Sequence, residues 1–141
     1  MRNASTMHNG MTAAVQPYAI KGAIWYQGEA NGFEGVSYFH KMKALVLGWR
    51  KTWNQGEFPF YFVQLANFSK TNANPAGGDG WTKLREAQLK TIREVPKTGM
   101  AVITDIGEGE NTHPPNKFDV GKRLALWALA KDYGKKDLVY S

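Results

Sequence analysis

Residues 58–67 read FPFYFVQLAN, and every side chain from Phe60 to Val63 is aromatic or aliphatic. A strand with one face in water would alternate apolar and polar residues, whereas this run is apolar on both faces. Pro59 restricts Phe58 to an extended conformation, which suits the entry into a strand. Strands buried on both faces occur mainly in parallel sheets that helices cover on each side. The run therefore predicts the central strand of such a sheet.

Patterns typical of strands and helices alternate along the rest of the 141 residues. Two more short apolar runs predict buried strands, at 20–27 and 99–107. Apolar residues at helical spacing predict helices over 38–53, 81–95 and 116–133. The order βαβαβα predicts an α/β protein in which helices cover both faces of a parallel sheet.

Polar residues follow each predicted strand at its carboxyl end. They are Gln27, Gly28 and Glu29 after the first strand, Gln64 and Asn67 after the second, and Asp105, Glu108, Glu110 and His113 after the third. The carboxyl ends of parallel strands meet at one edge of the sheet, where α/β proteins bind their ligands. The sequence therefore predicts a functional site at this edge.

His113 is the candidate with the clearest chemistry. It lies in EGENTHPPNK, residues 108–117, and the two prolines after it stiffen its backbone. Carboxylates at Asp105, Glu108 and Glu110 are close in sequence, and a histidine oriented by a carboxylate is the base of many nucleophilic hydrolases. A surface histidine in a polar loop has the same pattern, so both interpretations stay open.

Gln27 is a candidate oxyanion donor, because its side-chain NH₂ can point at developing negative charge if Gly28 lets a substrate approach. Glu29 and Asn31 could support such a site or simply hold the loop. No serine lies in a glycine-bracketed turn between a strand and a helix, where a nucleophile would be expected. The serines are Ser5, Ser37, Ser69 and Ser141. The residues alone thus predict a base and an oxyanion donor without a nucleophile.

Composition narrows the classes of protein. The chain has no cysteine, which excludes disulfides, thiolate zinc sites and a cysteine nucleophile. Its 18 Lys and Arg against 12 Asp and Glu give a charge of +6, but the basic residues are spread through helical segments. That spread favours solvated helix faces over a nucleic-acid surface. No apolar run approaches the ~20 residues of a membrane span, and the first 20 residues lack the apolar core of a signal peptide.

Four motifs occur in a recognisable order: YAIKGAIWYQGEAN at 18–31, FPFYFVQLANF at 58–68, LREAQLKT at 84–91 and TGMAVITDIGEGENTHPPNKFDVGKRLALWAL at 98–129. Together they resemble the carboxyl-terminal half of the catalytic domain of sialate O-acetylesterases, in the SGNH (GDSL-like) hydrolase superfamily. The resemblance runs from about Asn9 to Tyr133. It implies a three-layer α/β/α sandwich that hydrolyses acetyl esters on sugar hydroxyls without a metal or organic cofactor.

The resemblance also implies roles for individual residues. His113 resembles the general base, and Gln27 with Gly28 resembles the block whose amide assists the oxyanion hole. Many SGNH enzymes carry an acid three residues before the histidine, which here is Glu110. Asp105 also matches an acidic position of the family, so the acid of the triad is Glu110 by spacing or else Asp105. A supporting role is implied for two residues of the LREAQ motif, Arg85 and Gln88.

The family's nucleophile is a serine in a Gly-Gln-Ser-Asn segment near the start of the domain, and this sequence contains no such segment. Residues 1–141 are therefore expected to form a partial SGNH hydrolase domain that lacks its nucleophile-bearing N-terminal block. We expect the chain alone to have no esterase activity. We also expect an open sheet edge that favours self-association.

Two alternatives to a sialate esterase remain. The substrate could be another acetylated glycan such as acetylxylan, because the motifs indicate acetyl-ester chemistry more clearly than the sugar. The chain could also be a non-catalytic carbohydrate-binding or assembly module whose tryptophans stack on sugars. The positions of Trp25, Trp49, Trp53 and Trp127 are typical of core residues and favour ordinary packing. Full-length members of the family are often secreted or periplasmic, and the location of this chain stays open.

Overall fold

The sheet consists of three parallel strands in a computed structural model that describes residues 6–69, 73–74 and 80–140. The strands are β1 (Ala23–Trp25), β2 (Phe60–Val63) and β3 (Thr98–Ala101), in the order β1-β2-β3. Trp25 pairs with Phe62, and Phe62 pairs with Met100. All three strands therefore point the same way and β2 is central, as the FPFYFVQLAN run predicts.

Helices cover both faces of this sheet. The helices are α1 (Ala13–Val15), α2 (Tyr38–Trp53), α3 (Gly80–Glu94) and α4 (Lys117–Lys131). A π-helical turn at His8–Thr12 precedes α1, and short 3₁₀ turns lie at Glu29–Asn31 and Gly35–Ser37. Helices α2 and α3 pack on one face and α4 on the other, so the predicted α/β/α layering with a parallel sheet is confirmed. None of the described helices is long and apolar enough to cross a bilayer.

The central strand is buried at all four positions. Phe60 and Phe62 face the cluster formed with α2 and α3, whereas Tyr61 and Val63 face the cluster formed with α4. Successive side chains of a strand point to opposite faces, so an FYFV run needs a hydrophobic layer on each side. This requirement explains why helices cover both faces of so small a sheet.

Helix α2 carries its buried residues at the spacing of a single helix face: Tyr38, Phe39, Met42, Val46, Arg50 and Trp53. Asn54 adopts a left-handed conformation (φ 52°) directly after Trp53 and ends the helix. Arg50 is only 6% exposed, and its guanidinium donates to the carbonyls of Phe58 (2.9 and 3.1 Å) and Pro96 (2.8 Å). Arg50 thus ties α2 to the segments that lead into β2 and β3.

The strands are shorter than the apolar runs that predicted them. The run at 20–27 pairs only over Ala23–Trp25, and the run at 99–107 gives a strand that ends at Ala101. Asp105 therefore lies four residues beyond β3 rather than at its end. The helical segment before residue 16 was not predicted, because it has no buried residue and thus no apolar stripe to reveal it.

Gly99 lies on β3 under the indole of Trp127, whose Nε1 donates to Met100 O (3.1 Å). A Cβ at position 99 would lie 2.5–2.8 Å from atoms of that ring, which is closer than side chains pack. Gly99→Ala must displace the indole, so we expect the free energy of unfolding to fall by about 1–3 kcal/mol, measured by urea denaturation.

Gly48→Ala is the matched control. Gly48 is exposed in α2, and no described neighbouring segment lies within 4 Å of an added Cβ. Alanine is the better helix former, so this change should raise the free energy of unfolding by about 0.5–1 kcal/mol. Equal stability of the two variants would contradict the packing of α4 on β3.

Candidate active site

The segments that follow the three strands contact one another at the carboxyl edge of the sheet, called here the rim (residues 26–31, 64–67 and 102–113). A Cβ on Gly28 would lie 3.0 Å from Leu65 Cδ2, and Gly28 has φ 154°, a conformation that favours glycine. A Cβ on Gly107 would overlap the side-chain oxygen of Asn67. Parallel pairing thus brings the three strand exits together, and glycines allow the close approach.

Gln27 is held at both ends of its side-chain amide. Its Nε2 donates to Asn31 Oδ1 at 2.7 Å. The hydroxyl of Tyr38 shares its proton between Gln27 O (2.9 Å) and Gln27 Oε1 (3.2 Å). Burial, followed by the nearby charge of Glu29, raises the pKa of Tyr38 to about 12, so the phenol remains a donor at neutral pH.

The loop after Gln27 continues this set of contacts toward solvent. Asn31 Nδ2 donates to Glu34 Oε1 at 2.8 Å, and Lys41 Nζ lies 2.6 Å from the same oxygen. Hydrogen bonds from Lys41 and Asn31 lower the pKa of Glu34. Glu29 begins the 3₁₀ turn that ends at Asn31. The pKa of Tyr26 is raised mainly by burial and also by the negative charge of Glu29.

Gln88 and Arg85 hold the backbone where β2 ends. Gln88 is fully buried; its Nε2 donates to Val63 O and its Oε1 accepts from Leu65 N, both at 3.0 Å. Arg85 donates to the carbonyls of Leu65 (2.9 Å) and Ala66 (2.5 Å). Both residues therefore lie behind the rim, where they hold the backbone of residues 63–66.

Asp105 is paired with Arg123 of α4 rather than with His113. Its two carboxylate oxygens accept from Arg123 Nη1 and Nη2, each at 2.6 Å. The hydrogen bonds from Arg123 lower the pKa of Asp105 to about 2. Arg123 Nη1 also donates to Val102 O at 2.5 Å, which anchors the pair beside β3.

His113 is exposed, and its Nδ1 lies 3.1 Å from Thr112 Oγ1. Its backbone N–H donates to Asn111 Oδ1 at 2.8 Å, which shapes the turn before the two prolines. Among the described residues, no hydrogen bond or ion pair joins His113 to Glu110 or to Asp105. The structure therefore does not bring the predicted base into contact with either predicted acid.

A side chain just after the His113 loop reaches the exit of β1. Asn116 caps α4 by accepting from Asp119 N at 3.1 Å, so the helix begins just after the prolines. Lys117, the first residue of α4, places its Nζ 4.6 Å from the ring centroid of Tyr26. Tyr26 is the neighbour of Gln27, so a side chain four residues after His113 reaches the segment that carries Gln27.

Neither described serine hydroxyl is hydrogen-bonded to His113, although the backbone of Ser69 contacts the loop that carries His113. Ser37 Oγ donates to Glu34 O at 2.9 Å, and Ser69 N donates to Gly109 O at 2.6 Å. Ser5 and Ser141 lie outside the described residues. In the described part of the chain, no group of three or more acidic or imidazole side chains is arranged to hold a metal ion.

Sequence reasoning missed two residues of this region, Tyr38 and Arg123. Tyr38 was assigned only to the apolar stripe of a helix, although a buried phenol usually needs a polar partner. Arg123 carried no signal of its own, because its partner lies 18 residues away and across a helix boundary. Tyr38 hydrogen-bonds to the side-chain amide of Gln27, and Arg123 hydrogen-bonds to Asp105 and lowers its pKa.

Comparison with known proteins gives consistent matches. A family model described as carbohydrate esterase, sialic acid-specific acetylesterase, matches residues 4–130. Sialate O-acetylesterase of Rattus norvegicus is 33% identical over 150 residues, covering 96% of this chain and 28% of the rat protein. The Homo sapiens protein of the same name is 32% identical over 154 residues, covering 96% of this chain and 29% of its own.

A solved structure agrees with these sequence matches. The crystal structure of a carbohydrate acetylesterase from Xanthomonas citri superposes with a TM-score of 0.84 at 44% identity, covering 96% of this chain and 31% of that one. The chain thus spans less than a third of the length of these relatives. Since the family model matches nearly the whole sequence, the chain belongs to the sialic acid-specific acetylesterase family of carbohydrate esterases.

Proposed function

We propose that this chain is part of a carbohydrate O-acetylesterase whose substrate is an O-acetylated sialic acid. The observation that carries the proposal is the rim, where the exits of three parallel strands meet. The Gln27 block and the His113 loop are the motifs that resemble the family, and the contact of Lys117 with Tyr26 links them. Two polar groups of complementary function on one edge of a parallel sheet suit a hydrolase site.

In the proposed reaction a serine from outside residues 1–141 attacks the acetyl carbonyl. His113 takes the serine proton as the new C–O bond forms, and returns it to the sugar oxygen as the ester bond breaks. An N–H of Gln27 stabilises the tetrahedral oxyanion. Water, activated by His113, then releases acetate and regenerates the serine. The proposal assigns residues 1–141 to a partial SGNH hydrolase domain.

The contacts of Asp105 favour Glu110 as the acid that orients His113. Both oxygens of Asp105 accept from Arg123, so Asp105 would have to leave that pair in order to serve the histidine. Glu110 is exposed three residues before His113, and no hydrogen bond or ion pair among the described residues occupies its carboxylate. Asp105 remains the second candidate, with Arg85 and Gln88 as supporting residues behind the rim.

The packing of the tryptophans disfavours the carbohydrate-binding alternative. Trp49 stacks on Trp53 at 5.1 Å between ring centroids, and its edge contact with Trp25 is 6.0 Å. Trp127 packs on Tyr61 at 5.8 Å. These rings are used by the core, which leaves less aromatic surface for stacking on sugars. Binding to a glycan array without turnover would restore the alternative.

The purified 141-residue chain should leave an aryl acetate intact, because no described serine hydroxyl is hydrogen-bonded to His113. The assay compares acetate release with the rate in buffer alone. Hydrolysis that exceeds the buffer rate and disappears in His113→Ala would contradict the assignment of the nucleophile to another segment.

The DNA upstream of the Met1 codon tests the source of the serine. An in-frame Gly-Gln-Ser-Asn segment there would provide it, and the longer protein should release acetate from O-acetylated sialic acid but not after His113→Ala. The same protein tested on acetylated xylan distinguishes the two glycan classes. Turnover of xylan alone would refute the sialate assignment and leave the ester chemistry intact.

The carboxyl group of Asp105 should titrate with a pKa of about 2, which carboxyl carbon NMR can follow. In Arg123→Gln the pKa should rise toward about 3.9, the ordinary value. Because the folded pKa is lowered, the pair stabilises the fold above about pH 3.9, and this stabilisation is lost as pH falls through 2. The pair is exposed, so the contribution is small and weakens in salt.

Arg93→Gln serves as the control for the titration, since Arg93 lies in the last turn of α3. It should leave the pKa of Asp105 unchanged. A pKa near 3.9 for Asp105 in the unsubstituted chain would show that Arg123 does not hold the carboxylate. Asp105 would then be as good a candidate as Glu110 for the acid that orients His113.

Self-association through β1 is a further part of the proposal. One edge of β1 pairs with β2, and within the described ranges no strand lies on the other edge. Ile24, the middle residue of β1, is 67% exposed. An unpaired strand with an exposed apolar side chain is a template for pairing with another copy.

Sedimentation velocity should therefore detect a dimer of the chain that grows with protein concentration. Ile24→Lys should raise the dissociation constant at least about tenfold, or about 1.4 kcal/mol, because a charge disfavours edge pairing. Leu47→Lys, on the exposed surface of α2 at 46% exposure, should leave it unchanged. A monomer at every concentration would rule out pairing through β1.

A further inference from the structure

A line of hydrogen bonds, called here the amide chain (Gln27, Asn31 and Glu34), runs from the rim to the surface. Gln27 Nε2 donates to Asn31 Oδ1 at 2.7 Å, and Asn31 Nδ2 donates to Glu34 Oε1 at 2.8 Å. Lys41 contacts Glu34 Oε1 at the solvent end, at 2.6 Å. The hydroxyl of Tyr38 contacts Gln27 Oε1 at the inner end, at 3.2 Å. Every link joins a donor to an acceptor.

The carboxylate at one end determines the direction of all the links. A side-chain amide has nearly the same shape when its O and NH₂ are exchanged, so only its neighbours select the orientation. An ionised carboxylate only accepts hydrogen bonds, so Asn31 must turn its NH₂ toward Glu34. The oxygen of Asn31 then faces Gln27, which must turn its NH₂ toward Asn31 and its oxygen toward Tyr38.

The reversed orientation would be unfavourable at the carboxylate end. If Asn31 were flipped, its oxygen would face the carboxylate of Glu34 at hydrogen-bond distance, and two acceptors would repel each other. The pairing with Lys41 keeps Glu34 ionised, which agrees with its lowered pKa. At the inner end the hydroxyl of Tyr38 lies 3.2 Å from Gln27 Oε1 and can accept as well as donate, so the carboxylate of Glu34 sets the direction.

We propose that Glu34, acting through Asn31, is a positioning residue that fixes the orientation of the Gln27 amide. Asn31 uses one of the two N–H groups of Gln27 Nε2, so the second N–H is left to bind an oxyanion. With the amide reversed, Gln27 would present an oxygen there and would repel the same charge. The catalytic benefit rests on the proposed function, whereas the orientation of the amide does not.

Moving the carboxylate by one link tests this proposal. Asn31 and Lys41 contact the same oxygen of Glu34, so both variants are made together with Lys41→Met, which removes the cation that would hold an oxygen at that position. In Glu34→Gln the end group can then both donate and accept, so the direction of the amide chain is no longer determined. In the double variant Asn31→Asp with Glu34→Gln, the new carboxylate at 31 accepts from Gln27 and from the amide at 34, which restores the direction.

The readout is the ¹⁵N-labelled side-chain NH₂ of Gln27, by relaxation and by hydrogen exchange with water. We expect an ordered NH₂ in the unsubstituted chain and in Lys41→Met alone, exchange roughly fivefold to tenfold faster in Glu34→Gln, and a return to within about twofold in the double variant. Glu94→Gln, which removes the comparable surface pair with Lys90 (3.6 Å), should change nothing. An unaffected Gln27 in Glu34→Gln, or a double variant as fast as the single one, would overturn the proposal.

An activity measurement on a longer, active protein separates this inference from the proposed function. Glu34→Gln should lower kcat by roughly tenfold with little change in KM, a fraction of the roughly 10²–10³-fold lost when an oxyanion donor is removed. A change confined to KM would contradict a role in oxyanion binding. If the unsubstituted protein releases no acetate, the esterase proposal fails, and the NMR result still decides the orientation of Gln27.

Discussion

The buried amide of Gln88 supplies the two hydrogen bonds that the backbone needs where β2 leaves the sheet. It accepts from Leu65 N and donates to Val63 O, as a neighbouring strand would do. With the backbone held there, Leu65 packs beside Gly28 and Asn67 lies against Gly107. Arg85, on the same helix, adds hydrogen bonds to the carbonyls of Leu65 and Ala66. The meeting of the three strand exits therefore depends on side chains of α3, and the chemistry assigned to the rim depends on that meeting.

The fold could be predicted largely from burial patterns. The FYFV run at 60–63 needs apolar side chains packed on both faces of the strand, and the apolar face of α2 supplies some of them. The three layers and the parallel direction of the strands could therefore be predicted from the sequence. The exact ends of the strands could not be predicted, because they depend on where pairing partners stop. The helical turns around His8–Thr12 could not be predicted either, since they bury no residue.

For the candidate site, the sequence predicts a location on the sheet but not the contacts between its side chains. Parallel strands imply a common edge, so Gln27 and the His113 loop were expected near each other on topology alone. The partners of the individual groups were not predictable. Asp105 meets Arg123 and Gln27 meets Tyr38 because tertiary packing brings together residues 18 and 11 positions apart. Sequence spacing suggested instead that the nearest carboxylate would serve His113, and the described contacts do not include that pair.

The hydrogen bonds of Arg50 affect how the domain unfolds. Its guanidinium binds carbonyls 8 and 46 residues along the chain, at Phe58 and Pro96. A partly unfolded form that kept α2 and β2 but released β3 would leave this buried cation short of acceptors. The entries of both strands should therefore open in a single cooperative event, with the amide protons around them reporting the same free energy of opening.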